Sequence, residues 1–281
     1  MKWAAAALLA LCGAGAQALD QPTYLGPRPP AAPRRVVTLA PSLTDCVLAM
    51  GAGKRLVGVS RYDEAPEVAK LPRVGGFVDP SVEAVLALDP DLVVVQPGPG
   101  NEKPVQKLAE LKVPVLALPM HTLAQVERAL EELGRALALP VQGQELARSL
   151  EAARQRAREK SRSLSHPRVL FVYGFQPLQV AGPGSFADEM MRDVGAVNVA
   201  ADAASAYPEY TPEAALAARP DVIVEATPMQ AGRDALAGLE GLRRARWVKL
   251  SSQDLLHPGP RLTQGLDELF SLVHGSADAG R

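Results

Sequence analysis

Four histidines and two cysteines are the side chains of this 281-residue sequence best suited to metal or nucleophilic chemistry. No two histidines share a metal-ligand spacing such as i, i+4, so the sequence predicts no metal site and no resident cofactor. A GxSxG elbow, an HExxH motif, a Walker-type phosphate loop and a CxxC pair are all missing from the sequence. We therefore predict that the protein is not an enzyme. An exported α/β enzyme is the least favoured alternative because no nucleophile can be paired with a base.

Two carboxylates stand out because their local sequence is repeated. Glu83 follows Ser81, Glu213 follows Thr211, and a Ser or Thr at these positions is suited to cap a helix. A carboxylate in a first helical turn is stabilised by the helix dipole. The dipole does not explain why both repeated segments have glutamate at this position while neighbouring residues of the two segments differ. We therefore interpret Glu83 and Glu213 as a symmetric docking surface.

The charge balance excludes one class of partner. The chain has 30 Lys and Arg against 31 Asp and Glu, and no basic cluster is present. A nucleic-acid-binding protein needs a basic face to displace counterions, so we predict no nucleic-acid ligand. The 47% of hydrophobic residues is enough to build one large or two small globular domains.

The elements that position these residues alternate between short strands and helices, which predicts parallel sheets covered by helices. Residues 81–95 match residues 211–225 at a single offset of 130 positions, so we predict two lobes of the same plan. Between the lobes the sequence becomes helical, and Thr122 with Gln125 fits a capping box. A second helical stretch, 141–164, is interpreted as a rigid strut that allows little hinge closure. The alternative is one more surface helix.

The first residues, MKWAAAALLALCGAGAQALD, are typical of a secretory signal peptide cleaved after Ala18. A lipoprotein cleaved at Cys12 is the alternative, although Leu11 is bulky where a small residue is expected. Cys46 then remains the single cysteine, in an apolar run that predicts a buried, inert thiol. The predicted organisation is a signal peptide at 1–18, a proline-rich lead-in at 19–34, an N-terminal lobe at 35–139, a connecting helix at 140–166 and a C-terminal lobe at 167–281.

The sequence resembles the helical-backbone periplasmic binding proteins, which deliver cobalamin, ferric siderophores or haem to importers of the ATP-binding-cassette (ABC) type. The resemblance extends from about Arg34 to about Phe270 and is carried by RVVTLAPSLTDCVLAMGAGKRLVGVSRYDEAP, VEAVLALDPDLVVV, the strut and LSSQDLLHPGPRL. The chain is most similar to the cobalamin-binding branch, through its opening strand-helix motif, the spacing of Tyr62 and Phe77, and the terminal Pro-Gly-Pro-Arg. The resemblance implies two Rossmann-like α/β lobes with parallel central sheets joined by one long backbone helix.

The same resemblance implies a monomer in the periplasm that holds its ligand in a shallow cleft between the lobes. The aligned cleft positions are Pro41, Ser42, Tyr62, Phe77, Gln96, Tyr173, Phe175, Gln176, Tyr207, Gln253 and His257. The tryptophans expected near the cleft in the cobalamin branch are replaced by Phe77, Gln96 and Tyr207, and the terminal polar pair becomes Gln253 and His257.

A corrinoid is the first choice of ligand, and haem or a ferric siderophore is the alternative. Haem would require an axial ligand, for which Tyr62, Tyr207, His121 and His257 are the candidates. An anionic iron chelate would require a cleft arginine such as Arg61. The resemblance also implies that Glu83 and Glu213 pair with arginines of a membrane permease.

Overall fold

The computed structural model describes residues 20–98, 100–227, 231–252 and 254–275. It confirms the predicted fold class, in which two α/β lobes are joined by one long helix. The predicted signal peptide and Cys12 lie outside the described residues. No helix in the described part of the chain has both the length and the apolar character that crossing a bilayer requires.

Among the described residues, the N-terminal lobe has five strands and four α-helices. They are β1 (Thr23–Leu25), β2 (Val36–Thr38), α1 (Pro41–Ala49), β3 (Leu56–Gly58), α2 (Val82–Leu86), β4 (Leu92–Val95), α3 (Glu102–Glu110), β5 (Val115–Ala117) and α4 (Leu123–Ala136). Helix α5 (Pro140–Ser161) connects this lobe to the next one.

The C-terminal lobe begins after α5. It contains β6 (Arg168–Phe175), β7 (Leu178–Val180), α6 (Phe186–Asp193), β8 (Val197–Asn198), β9 (Glu209–Tyr210), α7 (Pro212–Ala217), β10 (Val222–Glu225), α8 (Arg233–Ala237), β11 (Arg246–Lys249) and α9 (Leu262–His274). Short 3₁₀ turns lie at Gly53–Arg55, Pro66–Val68 and Asp254–Leu256.

Both sheets are parallel at their centres and mixed at one side. The first sheet has the order β1-β5-β4-β2-β3, in which only β1 runs antiparallel to its neighbour. The second has the order β11-β10-β6-β7-β9, and β7 is antiparallel to both β6 and β9. Strand β7 follows β6 after two residues, and so short a connection can only join antiparallel neighbours. The prediction of parallel sheets therefore holds for the central strands and not for these edges.

One hydrophobic core extends through both lobes. It contains Val94 of the first sheet, Phe171 and Val224 of the second, and Leu150 of α5 between them. Helices α4 and α5 approach closely where two glycines meet, since a Cβ on Gly134 would lie 2.8 Å from the backbone of Gly143. A core shared in this way opposes large movements of one lobe against the other.

Charged side chains also link α5 to its neighbours α4 and α6. Arg154 of α5 donates to Glu127 of α4 at 3.1 Å and to Asp193 of α6 at 2.7 Å. Arg158 donates to the second oxygen of Asp193 at 2.6 Å. Burial alone would lower the pKa of Arg154, but its hydrogen bond to Asp193 and the two nearby carboxylates outweigh burial and raise the pKa. The strut is thus tied to both lobes by ion pairs as well as by apolar packing.

Candidate ligand-binding cleft

The predicted site residues follow the carboxyl ends of parallel strands. Pro41 and Ser42 begin α1 shortly after β2, Gln96 follows β4, and Tyr173 lies near the end of β6. Ligands of open α/β sheets bind at this edge, because the loops that leave the strands there diverge and form a crevice.

A buried asparagine organises the N-terminal wall of the site. Asn101 donates from its side-chain amide to the carbonyl oxygens of Phe77 and Gln96, both at 3.0 Å. Ser42 donates to the side-chain oxygen of Gln96 at 3.5 Å. The ring of Phe77 lies on the backbone of Gly98, where a Cβ would come within 2.6 Å of the ring. The structure therefore brings Ser42, Phe77 and Gln96 together, and sequence reasoning had missed Asn101.

Tyr62 is the most exposed aromatic side chain in this wall. Its exposed fraction is 57%, and its ring lies against Gly76. The guanidinium of the preceding Arg61 lies 5.8 Å from the centre of the Tyr62 ring and donates to Asp79 at 2.6 Å. The positive charge that an anionic ligand would require is therefore already paired, and sequence reasoning had missed Asp79.

The C-terminal wall is built from two phenols. The rings of Tyr173 and Tyr207 pack at 5.6 Å between centres, and Phe171 packs edge-on against Tyr173 at 5.1 Å. Burial raises the pKa of Tyr173 well above its usual value and also raises the pKa of Tyr207. No described residue offers a hydrogen-bond partner to the buried hydroxyl of Tyr173. A buried polar group without a partner is costly, so this hydroxyl would gain a hydrogen bond only if the C-terminal wall rearranged to expose it.

Phe175 does not join the phenols. It is buried in the other core cluster of this lobe and stacks on Trp247 with 6.4 Å between ring centres. Residues two apart on a strand normally share a face, but the pairing of β6 with β7 shifts register between Val172 and Gly174. Gln176 is exposed in the turn that follows.

His257 lies where the two lobes touch. Its Nδ1 is 3.4 Å from the buried carboxylate of Asp45 in α1, and Arg261 donates to the other oxygen of Asp45 at 2.7 Å. The turn between His257 and Arg261 packs on α1, since a Cβ on Gly259 would lie 3.1 Å from the sulfur of Cys46. The pair of Asp45 with Arg261 joins residues 216 positions apart and was not predicted. The predicted site residue Gln253 lies outside the described residues.

The remaining candidates have simpler surroundings. His121 is half-buried just before α4, and its backbone N–H donates to Gln125 at 2.9 Å. Glu83 and Glu213 are exposed in the first turns of α2 and α7. Cys46 is buried, and burial raises the pKa of its thiol, as expected for an inert cysteine. Within the described ranges, no group of three His, Cys, Asp or Glu side chains could hold a metal ion.

Two α/β lobes, a long connecting helix and aromatic side chains at the strand ends define the class of two-lobed solute-binding proteins. The family model described as periplasmic binding protein matches residues 36–249, and the chain belongs to this family. The predicted family is therefore confirmed. It is a family of substrate-binding proteins rather than of enzymes.

Individual relatives are named either vitamin B12-binding proteins or haem-binding proteins. The vitamin B12-binding protein of Yersinia pestis (strain Pestoides F) is 30% identical over 197 residues, which cover 70% of each chain. The apo structure of the periplasmic haem-binding protein RhuT from Roseiflexus is similar with a TM-score of 0.77 and 29% identity, covering 87% of this chain and 99% of RhuT. The vitamin B12-binding protein BtuF of Vibrio cholerae is similar with a TM-score of 0.74 and 26% identity, covering 86% and 96%.

Proposed function

We propose that this protein is the exported substrate-binding component of an ABC importer and that it captures cobalamin or a related corrinoid between its lobes. The relatives named vitamin B12-binding proteins support this ligand class. In this proposal the mature protein acts as a monomer in the periplasm after removal of residues 1–18. The proposed cleft residues are those predicted from the sequence except Phe175, which packs on Trp247, and Asn101 and Asp79 support the N-terminal wall.

The ion pair of Arg61 with Asp79, beside Tyr62, is the observation that favours a corrinoid over the other ligands. Arg61 is neutralised by Asp79, and the exposed Tyr62 ring lies next to this ion pair. Cyanocobalamin has no net charge and offers a broad ring with amide side arms, so it can bury aromatic surface without needing a free cation. Haem carries two carboxylates, and ferric siderophores of the catecholate and carboxylate types are anionic. Either of these would have to compete with Asp79 for Arg61.

Haem is the second candidate because RhuT is named a haem-binding protein and the C-terminal wall presents two tyrosines. A phenolate can serve as an axial ligand to haem iron. The raised pKa of Tyr207, caused by its burial, makes the phenolate harder to form, so this candidate requires the iron itself to drive deprotonation. A corrinoid imposes no such requirement.

Docking to the permease is proposed to use Glu83 and Glu213, one exposed carboxylate on each lobe. Charge complementarity at such a contact sets orientation and encounter rate. The proposal predicts that cells lacking this protein recover uptake of labelled cyanocobalamin when supplied with the wild-type gene. Glu83→Ala combined with Glu213→Ala should abolish uptake while leaving the affinity for cyanocobalamin unchanged.

A matched control for this experiment is the pair Glu67→Ala and Glu240→Ala. These glutamates are also exposed, one on each lobe, and they lie outside α2 and α7. The control should support normal uptake. Normal uptake by the Glu83 and Glu213 double variant would refute the docking role, and failure of the wild-type gene to restore uptake would refute cobalamin import.

A further inference from the structure

One polar contact between the lobes lies beside the predicted ligand residues. Asp45 is buried in α1 of the N-terminal lobe, and one of its carboxylate oxygens accepts from Arg261 of the C-terminal lobe at 2.7 Å. The other oxygen faces Nδ1 of His257 at 3.4 Å, and neither of these two atoms has a hydrogen-bond partner among the described residues. The carboxylate therefore meets two side chains from one turn of the opposite lobe.

This turn is attached to its own lobe on both sides. Before the turn, Glu268 of α9 accepts from the backbone N–H of Ser251 at 2.5 Å and from the hydroxyl of Ser252 at 3.0 Å. After the turn, Arg261 is the residue that leads directly into α9. The position of the turn is therefore set by the C-terminal lobe.

On the N-terminal side, Asp45 shares its helix with a predicted ligand residue. Asp45 lies three residues after Ser42, so the two side chains are on one face of α1. Helix and turn are in direct contact, because a Cβ on Gly259 would lie 3.5 Å from the carbonyl oxygen of Ser42 and 3.1 Å from the sulfur of Cys46. Asp45 thus holds His257, a second predicted ligand residue, one helical turn from Ser42.

Apolar packing alone would not define this contact as sharply. Leu43 of α1 and Leu255 before the turn belong to one core cluster, and hydrophobic contacts of this kind are not directional. A buried ion pair adds little net stability over apolar packing, and its best-attested use is to fix one arrangement of the elements that carry it. The pair of Asp45 with Arg261 is suited to fix how the lobes meet.

We propose that Asp45 is a positioning residue of the ligand site. Asp45, His257 and Arg261 together form an interlobe clamp, which fixes the separation of the lobes at the edge where the ligand binds. Without the clamp, the lobes separate more often at this edge and a bound ligand leaves faster. The effect on ligand release rests on the proposed function, whereas the effect on lobe separation does not.

The first measurement is the distance between the lobes in the ligand-free protein, residues 19–281, by pulsed electron paramagnetic resonance. Spin labels are attached through Glu67→Cys and Glu240→Cys, since these glutamates are exposed on opposite lobes and Cys46 is buried. Asp45→Asn and Arg261→Met should each add a population with a longer distance. Arg261→Lys retains the cation and should restore the wild-type distribution.

The second measurement is the rate at which bound cyanocobalamin is released, followed by stopped-flow displacement. Asp45→Asn and Arg261→Met should each release it about ten-fold faster, which is the loss typical of one hydrogen bond to a charged group. Arg261→Lys should release it at a rate close to that of the wild-type protein. A longer distance without faster release would overturn the positioning role.

The matched control is Glu225→Gln. Glu225 is also a buried carboxylate, and it accepts from Arg233 at 2.7 and 2.9 Å, but both partners belong to the C-terminal lobe. The control should keep the wild-type distances and release rate even where its melting temperature falls. A readout that reports only general loss of stability would change in the control as well.

Unchanged distances in Asp45→Asn and Arg261→Met, or an equal broadening in Glu225→Gln, would overturn the clamp. If Asp45→Asn does not fold, Arg261→Met decides the question, because the Arg261 side chain is 39% exposed and its removal leaves no large cavity. If the wild-type protein does not bind cyanocobalamin, the proposed ligand is overturned and the distances still decide the clamp.

Discussion

The two lobes share a scaffold and differ in how they present their walls to a ligand. In the N-terminal lobe, polar bonds from Asn101 and the pair of Arg61 with Asp79 hold the loops, and the Tyr62 ring is left exposed. In the C-terminal lobe, Tyr173 and Tyr207 pack against each other, the Tyr173 hydroxyl is buried, and Tyr207 is 38% exposed, less than Tyr62. The predicted ligand-facing walls therefore differ, whereas α2 and α7 have the same kind of N-cap and a glutamate in the first turn.

This contrast is what the proposed function predicts, because the ligand and the permease would contact different surfaces of the lobes. One unsymmetrical ligand meets both walls at once, so each wall can specialise. In the proposed function, a permease that docks on both lobes would meet α2 and α7 at equivalent positions. The following changes test the contrast, beginning with the largest expected effect.

Stability should be most sensitive to substitutions in the contacts of α5, which packs against both lobes. Asp193→Ala removes the carboxylate that accepts hydrogen bonds from Arg154 and Arg158. The positive charge of Arg154, whose side chain is only 14% exposed, then loses one of the negative charges that balance it. We expect the free energy of unfolding to fall by about 3 kcal/mol, in the range found when one partner of a buried pair is removed. Urea denaturation measures this loss.

Glu159→Ala is the control for that experiment, because its pair with Arg162 is exposed and contributes at most about 0.5 kcal/mol. Both proteins should unfold in one transition, since the lobes share a core. Two separate transitions, or a loss from Asp193→Ala no larger than that of the control, would contradict the coupling of the lobes through α5.

The exposed and the packed tyrosine should respond differently to truncation. Tyr62→Ala should weaken cyanocobalamin binding by about 2 kcal/mol, typical of an aromatic residue at the centre of a contact, with little change in thermal stability. Tyr207→Ala should weaken binding less and lower the melting temperature, because its ring supports Tyr173. Calorimetric titration and thermal unfolding measure the two effects.

Val141→Ala is a suitable control, since Val141 is 59% exposed on α5 and outside the predicted cleft residues. It should leave both quantities near their wild-type values. Equal losses of affinity and stability for the two tyrosine variants would show that the walls do not differ as described.

The smallest expected effect concerns the ion pair in the N-terminal wall. Asp79→Asn removes the charge that neutralises Arg61, so an anionic ferric siderophore should bind more tightly by about 1 kcal/mol, or roughly five-fold. Cyanocobalamin binding should change less than two-fold. Competition titrations with the two ligands check the shift in selectivity. An unchanged preference would mean that Arg61 does not face the ligand.

The sequence predicted the features that depend on local pattern. The capping box of Thr122 and Gln125 is present at the start of α4, and the repeat at 81–95 and 211–225 folds into equivalent helices and strands. Cys46 is buried as its apolar run indicated. Such features follow from periodicity and helix-end chemistry within a few residues, so they can be derived from a single sequence.

Contacts between distant loops could not be derived in this way. Asp79 reaches Arg61 only because the intervening loop folds back, and Arg261 reaches Asp45 only because the lobes meet. Phe175 lies two residues after Tyr173, so a regular strand would place both side chains on the same face. The register of β6 with β7 shifts between Val172 and Gly174, and Phe175 packs in the other core cluster instead. Spacing along the chain does not contain this information, because tertiary packing determines it.

The central claim is that the two walls together bind an uncharged corrinoid in preference to anionic chelates. Titration calorimetry of residues 19–281 against cyanocobalamin, haem and a panel of ferric siderophores tests it most directly. We predict one-to-one binding of cyanocobalamin with an affinity at least ten-fold higher than that of any anionic ligand. Tight binding of haem or a siderophore, with no heat from cyanocobalamin, would contradict the account.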